Sequence, residues 1–199
     1  MSVDKGEILL AVARAAISSA LGVPRTADES APWLAEPGAC FVTLTQQGQL
    51  RGCVGSLQAH RSLLADVKSN AVSAALYDTR FMPLTAEELE ITRIEISQLA
   101  PTEPMAFRDE ADALSQLRPD VDGVVFEFGR HRSTFLPQVW EQLPDPRQFM
   151  AHLKLKAGLP DNFWDEGIKL SRYSVSKFSE KLLAGHRSEQ PVAGHQKEK

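Results

Sequence analysis

Residues 39–57, ACFVTLTQQGQLRGCVGSL, decide the fold of this chain. Two segments rich in β-branched and other apolar residues flank the polar sequence QQG at 46–48, which is typical of a β-hairpin. Apolar residues recur at every second position, so each strand is expected to bury one face and to leave the other available for contacts.

The length of the hairpin loop determines which residues of the two strands face each other. A three-residue loop with Gly48 in the left-handed region pairs Thr45 with Gln49 and places Leu44 opposite Leu50. A two-residue loop would bring Arg51 level with Leu44 and introduce a charge into the apolar face. The sequence therefore predicts the three-residue loop.

This register separates the two cysteines of the chain. Cys40 shares its face with Val42 and Leu44, so we expect a core thiol that forms no disulfide with Cys53. The opposite face is predicted to carry Phe41, Thr43, Arg51 and Cys53.

The rest of the sequence alternates irregularly between helices and strands. Apolar spacing, capping residues and prolines predict helices at 4–21, 62–77, 109–117, 137–143 and 146–158, with a helical turn opening at 85–88. Strands are predicted at 91–99, 123–129, 132–136 and 167–178. Because the hairpins are too short for parallel crossovers, the predicted class is α+β with a mostly antiparallel sheet.

Composition excludes several classes of protein. The chain has 199 residues, a formal net charge of -4 and two cysteines, too few for a disulfide framework or a four-thiolate zinc site. Residues 186–199 are almost free of apolar side chains and are predicted to form a disordered tail. The acidic balance argues against binding to nucleic acid or to a membrane surface. With no recognisable leader or membrane span, we expect a cytoplasmic protein. We also expect neither a metal nor another cofactor.

The candidate chemistry centres on Cys53, which lies between Gly52 and Gly55 and two residues after Arg51. A nearby guanidinium favours the thiolate, and missing side chains allow a ligand or another backbone to approach. Alternatively, Cys53 belongs to a second small core, and the glycines mark a bend or a bulge.

Two further polar residues have alternative roles. Arg80 either binds an anionic ligand or pairs with Asp78 to lock the loop that follows the helix at 62–77. His60 is either a general base for Cys53 or an ordinary residue at the start of a helix. A cysteine nucleophile needs a base, and the sequence offers only His60, Asp78 or Glu95 for that role.

Several segments together resemble one known family, the AMMECR-one domain family, whose prokaryotic members are called AmmeMemoRadiSam system protein A. The first segments are LRGCVG (50–55), NAVSAALYDTRFMPLTAEEL (70–89) and IEISQL (94–99). The resemblance continues through DGVVFEFGRHRSTFLPQVWEQLP (122–144), FMAHLKLKAGLP (149–160) and LSRYSVSKFSE (170–180). It therefore extends over nearly the whole folded chain.

The resemblance implies an α+β fold of two intimately packed subdomains around a curved, mostly antiparallel mixed sheet with flanking helices. We expect one AMMECR-type domain at 1–185, followed by the tail at 186–199. The family's prokaryotic name implies a Memo-like protein and a radical S-adenosylmethionine (SAM) protein as partners in a modification pathway. The matching motifs point to seven residues, which are Arg51, Gly52, Cys53, Gly55, Asp78, Arg80 and Phe81.

Two functions follow from these expectations. In the first, the chain is an accessory or binding component that acts with the Memo-like and radical SAM proteins. In the second, it is an enzyme that uses Cys53 as a nucleophile or covalent carrier on a small anionic substrate, with Arg51 activating the thiol. The shortage of a convincing base favours the accessory role.

Overall fold

A computed structural model describes residues 4–181. Its helices are α1 (Lys5–Ala20), α2 (Leu63–Leu76), α3 (Ala86–Ile91), α4 (Glu110–Gln116) and α5 (Pro146–Lys156). Its strands are β1 (Ala39–Gln46), β2 (Gln49–Gly55), β3 (Arg93–Leu99), β4 (Glu103–Pro104), β5 (Gly123–Phe128), β6 (His131–Phe135), β7 (Lys169–Tyr173) and β8 (Val175–Ser179). Short 3₁₀ helices span Pro32–Ala35 and Pro137–Glu141. The predicted tail at 186–199 lies outside the described residues.

The strands form two sheets of four, and every pair of neighbouring strands is antiparallel. The first sheet has the order β2-β1-β3-β8, and the second has the order β4-β7-β5-β6. The predicted α+β class with antiparallel pairing is confirmed, with the strands divided between two sheets.

The helix boundaries follow local capping signals. The Asp4 carboxylate accepts the Gly6 N–H at the start of α1, and the Ser62 hydroxyl accepts the Ala65 N–H at the start of α2. Thr85 forms the predicted reciprocal capping box at the start of α3.

The single strand predicted at 167–178 is wrong. The chain forms β7 in the second sheet and β8 in the first, and Ser174 lies between them. The Ala100 N–H donates to the Ser174 carbonyl at 2.9 Å, where the connection from β3 to β4 also passes from one sheet to the other. Because strand-like residues continue on both sides of Ser174, the sequence gives no sign of the change of sheet.

The predicted three-residue hairpin loop is also wrong. The loop consists of Gln47 and Gly48, with φ of 51° and 80°, and Gln46 pairs with Gln49 beside it. Positive φ at both loop positions is the geometry that tight hairpins favour, because its twist matches that of the strands.

A β-bulge explains how the short loop avoids the charge mismatch. Thr45 pairs with Leu50 but Leu44 pairs with Gly52, so Arg51 has no partner in the ladder. Beyond the bulge, Leu44 faces a glycine instead of a guanidinium. The predicted buried face of β1 survives this shift, since Cys40, Val42 and Leu44 are all fully buried. Leu50, predicted on the same face, is 44% exposed.

Two hydrophobic cores and a smaller third cluster hold the fold together. The first packs α1 and α2 on the inner face of the first sheet, and the second packs α4, α5 and Trp140 on the second sheet. Trp140 stacks on Phe149 with 3.8 Å between ring centroids. The third cluster joins the two sheets through Ala39, Leu99, Val125 and Tyr173.

Gly52 sets the distance between α2 and the first sheet. A Cβ atom at this position would overlap the carbonyl oxygen of Ala74, which belongs to the helix backbone. Because backbone atoms cannot rotate away as the end of a side chain can, any larger residue must push the helix off the strand.

We expect Gly52→Ala to lower the free energy of unfolding by about 3 kcal/mol, since overpacking against a rigid neighbour lies at the costly end of such changes. Urea denaturation of the purified chain measures this loss. Gln49→Ala, on the exposed part of β2, is the matched control and should change stability by no more than ~0.5 kcal/mol. Equal stability of the two variants would contradict the close helix packing.

Candidate functional site

The segment 78–81 is attached to the backbone of Cys53. The Asp78 carboxylate accepts the Cys53 N–H at 2.9 Å, and the Arg80 guanidinium donates to the Cys53 carbonyl at 3.2 Å. Arg80 also makes a two-point ion pair with Asp78, at 2.9 and 2.7 Å. Since β2 lies at the edge of its sheet, these side chains satisfy backbone groups that a further strand would otherwise bind.

The ion pair shifts the titration of both partners. Hydrogen bonds from the Arg80 side chain, together with those from the Cys53 and Arg80 N–H groups, hold the pKa of Asp78 well below its usual range. The same carboxylate raises the pKa of Arg80. The structure therefore shows Arg80 paired with Asp78, which is one of the two roles expected from the sequence.

Arg51 is bound to the segment that follows Phe81 and to α3. Its guanidinium donates to the Met82 carbonyl at 2.8 Å and pairs with Glu88 at 3.1 Å. None of these hydrogen bonds involves the Cys53 thiol, and the predicted sharing of a face by Arg51 and Cys53 stays a prediction.

The two glycines and Phe81 have packing roles in the structure. Gly52 admits the α2 backbone, and a Cβ atom at Gly55 would overlap the ring of Phe41. The Arg80 guanidinium carbon lies over the Phe81 ring, 5.4 Å from the ring centroid. This cation–π contact stabilises the loop.

The side chain of Cys53 faces a cleft between the outer face of the first sheet and the 3₁₀ helix at Pro137–Glu141. The cavity has a volume of about 120 Å³. Strands of the first sheet contribute Phe41, Thr43, Cys53, Ser97, Val175 and Lys177. The opposite wall consists of Asp120, Leu136, Pro137, Gln138 and Glu141. Of the seven residues predicted from the motifs, Cys53 alone lines this cleft.

The polar neighbour of the Cys53 thiol is a hydroxyl group. Thr43, its cross-strand partner, donates to Sγ at 3.4 Å. His60 is exposed and is not part of the cleft wall, so the structure does not bring it to Cys53 as a base. Asp78 contacts the backbone of Cys53 and not its sulfur.

Cys40 behaves as the predicted core thiol. It is fully buried, and both cysteines are free. Burial, reinforced by the neighbouring Asp66 carboxylate, raises the pKa of Cys40 far above the usual range. The two thiols therefore differ in accessibility as well as in position.

Sequence reasoning missed most of the cleft. Ser97 and Lys177 are cross-strand neighbours on β3 and β8, and Glu141 comes from a 3₁₀ helix more than forty residues from Ser97 in the chain. The outward positions of β1 and β3 carry the signal that could have identified Thr43 and Ser97, since Thr43 is a polar residue between two buried ones and Ser97 follows the buried Ile96. The wall at 120–141 has no comparable signal.

We expect Asp78→Asn to lower the free energy of unfolding at pH 7 by about 1–2 kcal/mol, because charge-assisted hydrogen bonds to the Cys53 backbone are lost. The pKa of Asp78 is lowered in the folded chain, so its contribution is complete above the unfolded pKa of ~3.9 and is lost as the pH falls. The free energies of unfolding of the wild type and of Asp78→Asn should therefore converge as the pH falls from about 5 to about 2. Denaturation curves recorded across this range provide the measurement. Asp161→Asn, at an exposed carboxylate, is the control. A difference that stays constant with pH would contradict the assigned role.

Two negative findings apply to residues 4–181. No helix there is long and apolar enough to cross a membrane. The same residues hold no group of three or more His, Cys, Asp or Glu side chains arranged to bind a metal ion.

Comparison with known proteins places the chain in one family. The AMMECR1 family model matches residues 10–178. Protein MJ0810 of Methanocaldococcus jannaschii is 34% identical over 185 residues, covering 90% of this chain and 92% of that protein. A Methanothermobacter thermautotrophicus protein is 36% identical, covering 90% and 96%. The crystal structure of the uncharacterized protein PH0010 from Pyrococcus horikoshii superposes with a TM-score of 0.73 at 31% identity, covering 88% of this chain and 91% of that one. The chain belongs to the AMMECR1 family.

Proposed function

We propose that this chain is a non-catalytic, cytoplasmic accessory protein that binds a partner through the loop after α2. We call the exposed side chains of Tyr77, Arg80 and Met82 the loop surface. The observation that carries the proposal is their exposure: 71% for Tyr77 and 80% for Met82. Tyr77 and Met82 are five residues apart in one loop, and exposed apolar side chains that lie together are typical of binding surfaces.

The loop surface is presented on a backbone that is held in place. The Asp78–Arg80 pair anchors the first half of the loop to the backbone of Cys53. In the second half, the Met82 carbonyl accepts a hydrogen bond from Arg51. The Leu84 N–H donates to the carbonyl of Ala75 at 2.8 Å, which closes the loop against α2. A loop ordered in advance loses little conformational entropy on binding, so more of its contact energy contributes to affinity.

The chemistry of the loop surface suits a protein partner. Tyrosine, methionine and arginine are enriched in protein–protein interfaces. The Arg80 charge is balanced by Asp78, whose side chain is 6% exposed, so the partner meets an apolar surface with one guanidinium at its centre. By family resemblance, we assign this partner to the Memo-like protein or the radical SAM protein of the same modification pathway.

We expect the full-length chain to bind the purified Memo-like or radical SAM protein of its own host, and Tyr77→Ala with Met82→Ala to weaken that binding at least tenfold. Loss of two central apolar contacts is commonly worth this much. Biolayer interferometry provides the measurement. Leu155→Ala, which truncates a 53% exposed leucine on α5, is the matched control and should bind as the wild type does. The proposal would be disproved if the chain bound neither of the two proteins, or if all variants bound equally well.

A second candidate function is an enzyme that uses Cys53 as a nucleophile or covalent carrier on a small anionic substrate. The observation that favours it is the position of the thiol at the wall of a cleft. Against it, Arg51 and Arg80 are engaged elsewhere, and the hydrogen bond to Sγ comes from Thr43. A threonine hydroxyl is a poor general base compared with histidine or a carboxylate.

Alkylation separates the two functions. For an accessory protein, Cys53 should react with iodoacetamide at pH 7 no faster than glutathione, and Cys40 should react only after unfolding because it is buried. Mass spectrometry of the labelled chain gives both rates, and Cys53→Ser identifies the signal. Labelling of Cys53 tenfold or more above glutathione would support the nucleophile instead.

A further inference from the structure

The cleft beside Cys53 contains an unused hydroxyl group. Ser97 is 4% exposed and lines the cavity, and none of the described residues forms a hydrogen bond with its side chain. The Ser97 hydroxyl oxygen is not among the solvent-inaccessible polar atoms without a partner, so it reaches the open space of the cleft. There it is free to donate a hydrogen bond. A group that enters the cleft and accepts a hydrogen bond would supply its partner.

A positive charge lies beside this hydroxyl. Lys177 pairs directly with Ser97 across the β3–β8 ladder, and both residues line the cavity. Lys177 takes part in none of the ion pairs found within residues 4–181. A hydroxyl next to an ammonium group forms a pair of donors suited to a carboxylate.

The opposite wall carries negative charge. Asp120 lies in the turn before β5 with a φ of 63°, and Glu141 ends the 3₁₀ helix that faces the first sheet. Neither carboxylate is in an ion pair with any residue in the described part of the chain. The two walls therefore offer charges of opposite sign to whatever occupies the space between them.

The remaining lining is mainly apolar, from Phe41, Leu136, Pro137 and Val175. These side chains suit a short aliphatic body between the charged ends. The cavity volume of about 120 Å³ bounds the size of the ligand.

We propose that the cleft binds a small zwitterion with an aliphatic body, of the size and chemistry of an α-amino acid. Its carboxylate contacts Ser97 and Lys177, and its ammonium group contacts Asp120 and Glu141. A simple anion would place its charge near two uncompensated carboxylates, and a simple amine would leave Ser97 and Lys177 without an acceptor. The zwitterion satisfies both walls. This ligand site is separate from the loop surface.

Calorimetric titration of the full-length chain with three compounds of similar shape tests the proposal. L-leucine carries both charges, 4-methylpentanoate only the carboxylate and 3-methylbutylamine only the ammonium group. We expect L-leucine to bind at least tenfold more tightly than either analogue. It should also slow the alkylation of Cys53, which places the bound ligand in the cleft.

Single-charge variants assign the two ends of the ligand. Lys177→Met should weaken L-leucine binding at least tenfold without weakening the amine, and Glu141→Gln should weaken L-leucine binding without weakening the carboxylate analogue. Both residues lie at accessible positions, so the fold should be retained. Lys169→Met, at an exposed lysine of β7, is the matched control and should leave all three affinities unchanged.

Three results would overturn the zwitterion site: no heat with L-leucine, an analogue that binds as tightly as L-leucine, or L-leucine binding that leaves Cys53 alkylation unchanged. None of them bears on partner binding by the loop surface. Conversely, loss of partner binding in the Tyr77 and Met82 variants leaves the calorimetric result in place. The two proposals therefore fail independently.

Discussion

The contact between the backbone of α2 and the backbone of β2 at Gly52 is the constraint on which the rest of the site depends. Because the Ala74 carbonyl occupies the space that a side chain at 52 would fill, the C-terminal end of the helix lies directly on the edge strand. The chain leaves α2 at Leu76, so the loop that follows begins next to Cys53. Asp78 and Arg80 can then reach the N–H and carbonyl groups of that residue without any long connection.

The other end of α2 is fixed by a buried polar network. The Asp66 carboxylate, 1% exposed, accepts hydrogen bonds from the Cys40 N–H, the Ser56 hydroxyl and the Arg61 guanidinium. The Asn70 amide donates both to Asp66 and to the Cys40 carbonyl. A buried carboxylate is tolerated when its oxygens are fully used, and here the donors come from β1, from the end of β2 and from α2 itself. The helix is thus attached to the hairpin at both ends.

The sequence predicted the local features of this arrangement and missed the features that depend on distant segments. The burial of one face of β1, which includes Cys40, and the capping box at Thr85 follow from short patterns, and both are confirmed. Leu50, which the predicted register places on the same buried face, is 44% exposed. The hairpin register failed because a bulge can remove a mismatch that a regular ladder cannot. Alternation alone does not reveal a bulge, so the reach of Arg51 towards Glu88 was not predictable.

The cleft was beyond prediction for a different reason. Ser97 and Lys177 meet only because the chain changes sheet at Ser174 and returns β8 to the edge of the first sheet. Asp120 and Glu141 reach the same space through the packing of the two sheets at Val125 and Tyr173. No pattern of a few residues encodes such a meeting, although each residue is an ordinary polar side chain in its own strand or turn.

The motif segment 50–55 therefore has different roles on its different sides. The outer edge of its backbone binds Asp78 and Arg80, and this completes an edge strand that would otherwise be open to pairing with another chain. Its glycines admit α2 and Phe41, and its thiol faces the cleft. Most of the motif is thus explained by packing and by edge protection, without any chemistry.

Packing does not require an exposed Met82 side chain or an unpaired Ser97 hydroxyl, and these two features lie on separate surfaces. A protein that binds a partner with its loop and a small molecule in its cleft accounts for both, because α2 and the hairpin hold the two surfaces in a fixed relation.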